Sequence, residues 1–153
     1  MAVNSPQNLW SAAIDIRPSI PSDQSEVMRL IALLRNAERP SPAWVAPFNQ
    51  LLTGERGGVI VAEEKGRLLG AITYSFNIAI RYGGEYAQIE ELIVDPAARG
   101  RSLGRLLVEA AIAAARKRGC AEIGLYVVNP DNVPFYARFG FEAVGPEVRL
   151  DLR

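Results

Sequence analysis

Apolar side chains recur along this chain with two different periods, and the places where the period changes mark its elements. Ala12–Arg17 (A-A-I-D-I-R) alternates apolar and polar residues, as a half-buried strand does, and Pro18 and Pro21 end it. Ser22 or Asp23 can then cap a helix in which Val27, Leu30, Ile31 and Leu34 return at helical spacing, out to about Asn36. Beyond Pro40, a second short helix is predicted over Ser41–Leu52, with Trp44, Val45, Phe48 and Leu51 on one side. Three strands follow the loop at Thr53–Gly58: Val59–Glu63, Leu68–Asn77 and Tyr86–Val94. The hairpin turn Glu64-Lys65-Gly66-Arg67 and the turn Tyr82-Gly83-Gly84-Glu85 join them. Leu103 to about Arg118 is built from strong helix formers and closes at Gly119. Ala121–Val127 predicts another strand, and a helix carrying Phe135, Tyr136 and Phe139 runs from Asp131 or Asn132 to Gly140. Phe141–Val144 and Val148–Leu152, split by Gly145-Pro146, predict two closing strands.

The predicted order is β-α-α-β-β-β-α-β-α-β-β. Runs of strands adjoining single helices imply an α/β (α+β) fold. Residues 1–10 are expected to be a loose lead-in and 11–153 a single domain, long enough to bury a core.

One stretch breaks the pattern in a way that suggests ligand binding. Ile93–Leu107 reads I-V-D-P-A-A-R-G-R-S-L-G-R-L-L. Pro96 cannot donate to a sheet ladder, so the strand stops there. Gly100 and Gly104 let backbone approach a ligand, and Ser102 can cap the helix that follows. A strand, a loop and a helix N-terminus aim free N–H groups and the positive end of the helix dipole at one spot, which suits phosphate. Arg99, Arg101 and Arg105 surround it.

Charge and composition narrow the chemistry further. The formal net charge is zero, which argues against nucleic acid or an anionic membrane as partner. Between Arg99 and Arg118, however, six basic residues face a single acid, Glu109, which fits a compact anionic ligand. The chain has no histidine, so histidine triads and the usual zinc sets are excluded and no metal is expected. Catalysis must use carboxylate, phenol, backbone or water. A lone cysteine, Cys120, points to a reducing compartment. The opening M-A-V-N-S-P-Q-N-L-W has neither a basic nor an apolar signal region, so a cytoplasmic protein is expected.

The loop resembles the acyl-CoA-binding segment of the GNAT N-acetyltransferase family, (Arg/Gln)-x-x-(Gly/Ala)-x-(Gly/Ala). Arg99, Ser102 and Gly104 fall on its defined positions, with serine in place of the usual small glycine or alanine. The order of elements is similar to that of GNAT domains, whose mixed sheet splays at its middle. Asn132-Val133-Pro134-Phe135-Tyr136-Ala137-Arg138-Phe139-Gly140-Phe141 resembles, slightly condensed, the family's N-x-x-(A/P)-x-x-(F/L)-Y-x-x-x-G-F region. The likeness runs from Ile14 to Leu152.

The resemblance implies acetyl-CoA as cosubstrate, an amine as acceptor, direct attack in a ternary complex, and no metal; it allows a homodimer. Leu92, Ile93 and Val94 correspond to the strand that holds the acyl and pantetheine groups. Gly100, Arg101, Ser102, Leu103, Gly104 and Arg105, with Arg99, correspond to the pyrophosphate loop. Tyr136 matches the general acid that protonates the departing thiolate; a phenol of pKa about 10 stays protonated at neutral pH. Asn132 resembles a contact to the CoA arm. Strand alternation puts Gln88, Glu90 and Leu92 on one face, and Ile89, Glu91 and Ile93 on the other. At least one of the two glutamates should therefore line the cleft.

The stretch I-E-E-L-I-V is similar to the polyamine-acetylating branch, which favours Glu90 as base and Glu91 as helper; water remains an alternative. Trp44, Phe48, Tyr74, Phe76, Arg81 and Tyr82 are the candidates for acceptor specificity. A non-catalytic acyl-CoA-binding sensor domain is the alternative function, and Tyr136 with the glutamate pair separates the two.

Overall fold

The computed structural model describes residues 13–153. The expected lead-in at 1–10 lies outside the described residues. Five strands form one sheet in sequence order: β1 (Asp15–Pro18), β2 (Gly57–Glu64), β3 (Arg67–Ala79), β4 (Gly84–Val94) and β5 (Ile123–Leu125). Neighbours are antiparallel except β4 and β5, which run parallel. The β2–β3 hairpin closes through Lys65 and Gly66, both at positive φ, the geometry that a two-residue turn between twisted strands requires.

Four α-helices flank the sheet: α1 (Gln24–Leu34), α2 (Val45–Leu52), α3 (Leu103–Arg118) and α4 (Val133–Ala137). Alternation sorts the strand side chains into two cores. Ile60, Ala62, Ile72, Tyr74 and Ile89 pack on Leu103, Leu107, Val108 and Ala111 of α3. Val59, Val61, Leu68 and Ala71 pack on Val27, Met28 and Leu30 of α1 and on Phe48 of α2. The two clusters lie on opposite sides, so the sheet has α3 on one face and α1 with α2 on the other. No helix among the described residues is long and apolar enough to cross a membrane.

Two features position the site. The β4–β5 pairing covers only Ala87–Ile89 against Ile123–Leu125, while β4 continues to Val94. The last turns of β4 therefore have no strand on that side, and the sheet opens there. The second feature is a correction. No strand forms over 141–153, so the two closing strands are absent and the order ends at α4. Val144, Val148, Leu150 and Leu152 are all at least 82% exposed. Apolar alternation supplies one face of a strand, but a strand exists only when an edge accepts its backbone hydrogen bonds. The segment 142–153 does not lie along the β5 edge in that way.

Candidate active site

At the end of β4 the chain turns on Asp95, whose carboxylate accepts from the Ala97 N–H at 3.0 Å and from the Arg29 guanidinium at 2.8 Å. The Ala97 N–H, followed by Arg29, holds this buried carboxyl below the usual carboxylate range. Arg29 also donates to the Leu68 carbonyl at 2.9 Å, so α1, the β2–β3 hairpin and the loop are tied together.

Beyond this anchor Gly100 takes φ 81° and Ser102 φ 60°. The first helical bond of α3 is Leu106 N–H to Ser102 O at 3.2 Å. No backbone carbonyl among the described residues accepts from the N–H groups of residues 100–105. That row of donors at a helix N-terminus fits a pyrophosphate. One expectation changes here. Ser102 occupies the N-cap position, but its hydroxyl makes no cap bond, because a cap residue needs extended backbone and this one is left-handed. A Cβ on Gly104 would stand 3.4 Å from the Phe135 ring and 3.9 Å from Val94, ordinary van der Waals contact, so packing between α3 and α4 does not itself require glycine there. Of the loop arginines, Arg101 pairs with Glu64 and Arg105 with Glu109, while Arg99 is exposed without an ion pair among the described residues.

The carboxylates sit where β4 departs from regular pairing. Thr73 pairs with Glu91 but Tyr74 pairs with Ile89, so Glu90 is an extra residue, a β-bulge. Ile89 faces the α3 core with Leu92 and Val94, while Ile93 faces α1 and α2. The expected grouping of Ile89 with Glu91 and Ile93 is thus broken. Glu90 accepts from the Ser75 hydroxyl at 2.7 Å and Glu91 from the Thr73 hydroxyl, and Thr73 and Ser75 are two residues apart on one face of β3. Both carboxylates therefore meet the same space. Burial pushes the Glu91 carboxyl above the usual range, and the charge of Glu90 adds to this; Thr73 and Arg35 act the other way.

That space is a cavity of about 730 Å³ between α1, α2, the end of β4 and the chain after β5. It gathers Glu90, Glu91, Leu92, Asn132 and Tyr136. Ile93, Val94 and residues 99–105 lie outside its lining. Burial raises the Tyr136 phenol above its ordinary value, so it is protonated at neutral pH. Its ring stacks edge-on against Phe135 at 4.9 Å and Phe141 at 5.9 Å. Asn132 starts α4 without a side-chain cap bond; Asn129 supplies the local cap by accepting from the Asp131 N–H at 3.0 Å. Asn132 lines the cavity.

Of the six specificity candidates, only Trp44 and Phe48 line this space. Tyr74 is buried under α3, and Arg81 stacks on Tyr82 at 4.6 Å at the far end of β3. Arg35, Thr73 and Ser75 escaped the sequence reading. The alternating hydroxyls of T-Y-S inside an apolar strand were the one available signal for the last two.

A model of the acetyltransferase (GNAT) family matches residues 25–141. The chain is 35% identical over 133 residues to glucosamine 6-phosphate N-acetyltransferase 1 of Oryza sativa subsp. japonica, covering 79% of this chain and 78% of that one. It is 37% identical over 98 residues to an uncharacterized N-acetyltransferase of Methanocaldococcus jannaschii, spanning 62% of this chain but 43% of the relative's length. The crystal structure of an acetyltransferase from Trypanosoma brucei superposes with a TM-score of 0.79 at 27% identity, over 92% of this chain and 100% of that one.

Proposed function

The chain belongs to the acetyltransferase (GNAT) family, and on that footing we propose that it moves an acetyl group from acetyl-CoA to a primary amine by direct attack in a ternary complex. The observation that carries the reading is the meeting of two carboxylates and a protonated phenol in one cavity, beside the gap where β4 and β5 part. The rice relative is named for an amino sugar phosphate, which supports an amine acceptor.

Each residue has a task in the transfer. The N–H groups of residues 100–105 bind the pyrophosphate of CoA, with Arg99 beside them and Arg101 able to exchange its exposed pairing to Glu64 for phosphate. Leu92, Ile93 and Val94 lie along the acyl and pantetheine arm, and a β4 N–H polarises the thioester carbonyl. Asn132 steadies the same arm. The acceptor arrives as an ammonium ion, drawn by Glu90 and Glu91. Burial and a raised pKa support Glu91 as the base, directly or through water, with Glu90 as the attracting charge. The amine nitrogen then bonds to the acyl carbon, the carbon–sulfur bond breaks, Tyr136 gives its proton to the thiolate, and the proton shed by the new amide nitrogen passes through water to restore the phenol.

Release of CoA measured against a panel of amines tests the transfer, and Tyr136→Phe tests the acid. The variant keeps the ring that stacks on Phe135 and Phe141, so acetyl-CoA affinity should hold. Turnover should fall at least about a hundredfold, in kcat rather than KM. Full activity in this variant would assign the proton to another donor.

A further inference from the structure

We propose that the acceptor is a single primary amine borne on an apolar aliphatic or aromatic body, free in solution or as the first residue of a polypeptide. The inference rests on the acetyltransferase reading above and narrows it. What carries it is the way side chains are sorted around the cavity. Next to β5 and α4 the lining includes polar groups, among them Asn129, Asn132 and Tyr136, on the side assigned to the CoA arm. Next to α1 and α2 it is Met28, Ile31, Leu34, Trp44, Phe48 and Leu51, with Arg35 at the end of α1. Ile31, Leu34, Trp44 and Leu51 are only partly covered, so a fitted apolar ligand would remove more of their surface from water.

Charge within the cavity is equally selective. The charged side chains that line it are Glu90, Glu91, Arg35 and Arg153. The two carboxylates meet on one face at the β4 bulge, so they form one cation site. A polyamine lying along this space would set its second ammonium against the α1–α2 wall, where no further acid stands. A sugar phosphate fares no better there. Its hydroxyls would face Met28, Ile31, Leu34 and Phe48 without partners, and its phosphate would have Arg35 alone on that wall. Arg35 is near enough to Glu91 to act on that carboxyl, and Arg153 belongs to the exposed tail. An ammonium at the glutamates with hydrocarbon behind it satisfies both halves of the lining.

The test is CoA release from the full chain with n-alkylamines from propyl to octyl, 2-phenylethylamine, spermidine and glucosamine 6-phosphate. Tetrapeptides beginning with Leu or Gly form a second arm. Along the alkylamine series kcat/KM should rise about fourfold per methylene until the wall is filled, since each buried methylene carries that much transfer free energy. Preference for Leu-initiated over Gly-initiated peptides, with weak alkylamine turnover, would assign the same chemistry to a polypeptide source. Leu34→Lys, at the half-exposed end of α1, should raise KM for hexylamine at least tenfold while the acetyl-CoA-induced Tm shift stays. A flat alkylamine series, or higher kcat/KM for spermidine or glucosamine 6-phosphate, overturns this proposal and leaves acetyl transfer standing. No CoA release with any amine overturns the acetyltransferase reading beneath it.

Discussion

As the proposed base, Glu91 carries opposing demands at the residue scale. A carboxyl that must accept a proton gains from the surroundings that raise its pKa, and the same surroundings cost stability when it is ionised. Below about pH 4.3 the carboxyl holds its proton in both the folded and unfolded chain, and nothing is lost. As pH rises past that point the unfolded chain releases the proton first, because burial holds it on the folded one. Stability therefore declines from there up to the raised folded-state pKa. Glu91→Gln removes the penalty and keeps the Thr73 contact. We expect its Tm at pH 7 to exceed the parent's, with no advantage at pH 4. The kcat/KM for amine should fall about a hundredfold or more, and any inflection of the acidic limb set by Glu91 should vanish. A variant that is less stable at pH 7, or fully active, would return the base role to Glu90 or to water.

At the scale of elements, the loop before α3 shows how one residue alters a shared design. The backbone at Ser102 is left-handed, a conformation that suits glycine and costs a side chain roughly 1–2 kcal/mol. Its hydroxyl recovers none of this through capping. Ser102→Gly should therefore stabilise the fold by about 0.5–1 kcal/mol after the greater freedom of glycine in the unfolded chain is subtracted. Thermal unfolding should show Tm higher by roughly 1–3 °C. An unchanged or lower Tm would mean that the serine side chain contributes a contact that offsets the strain. The β4 bulge is the other decisive element-level feature. One extra residue turns two glutamates that alternation would send to opposite faces toward one cavity.

The whole molecule depends on a few ion pairs between α1 and the sheet. Arg29 joins Glu26, Asp95 and the Leu68 carbonyl, and Arg17 joins Asp23 and Glu63. Both aspartates are buried and hold their protons less tightly than ordinary carboxyls, Asp95 through Ala97 and Arg29, and Asp23 through Arg17. Their stabilisation is complete above the unfolded value of about 3.9 and is lost as pH falls through the lowered folded value. Asp95→Asn keeps an oxygen for the Ala97 N–H but loses the charge facing Arg29. In urea unfolding at pH 7 it should cost about 2 kcal/mol. The gap to the parent should close on acidification below about pH 4, and a gap constant with pH would show that packing, not charge, was lost.

The sequence alone determined the helices, the central strands and the glycine-bearing turn before α3, because each rests on spacing between residues near one another in the chain. Val27, Leu30, Ile31 and Leu34 can face one way only on a helix, and Pro96 followed by Gly100 can only end a strand and turn. Tertiary structure decided whatever depends on a partner. Residues 141–153 alternate as strands do, yet no edge receives them. The faces of Glu90 and Glu91 follow from β4 pairing with β3 out of step, and register is a property of two strands together. The cavity joining Arg35, Thr73, Glu91 and Tyr136 draws on residues a hundred positions apart, brought together by burial of the two cores on either side of the sheet.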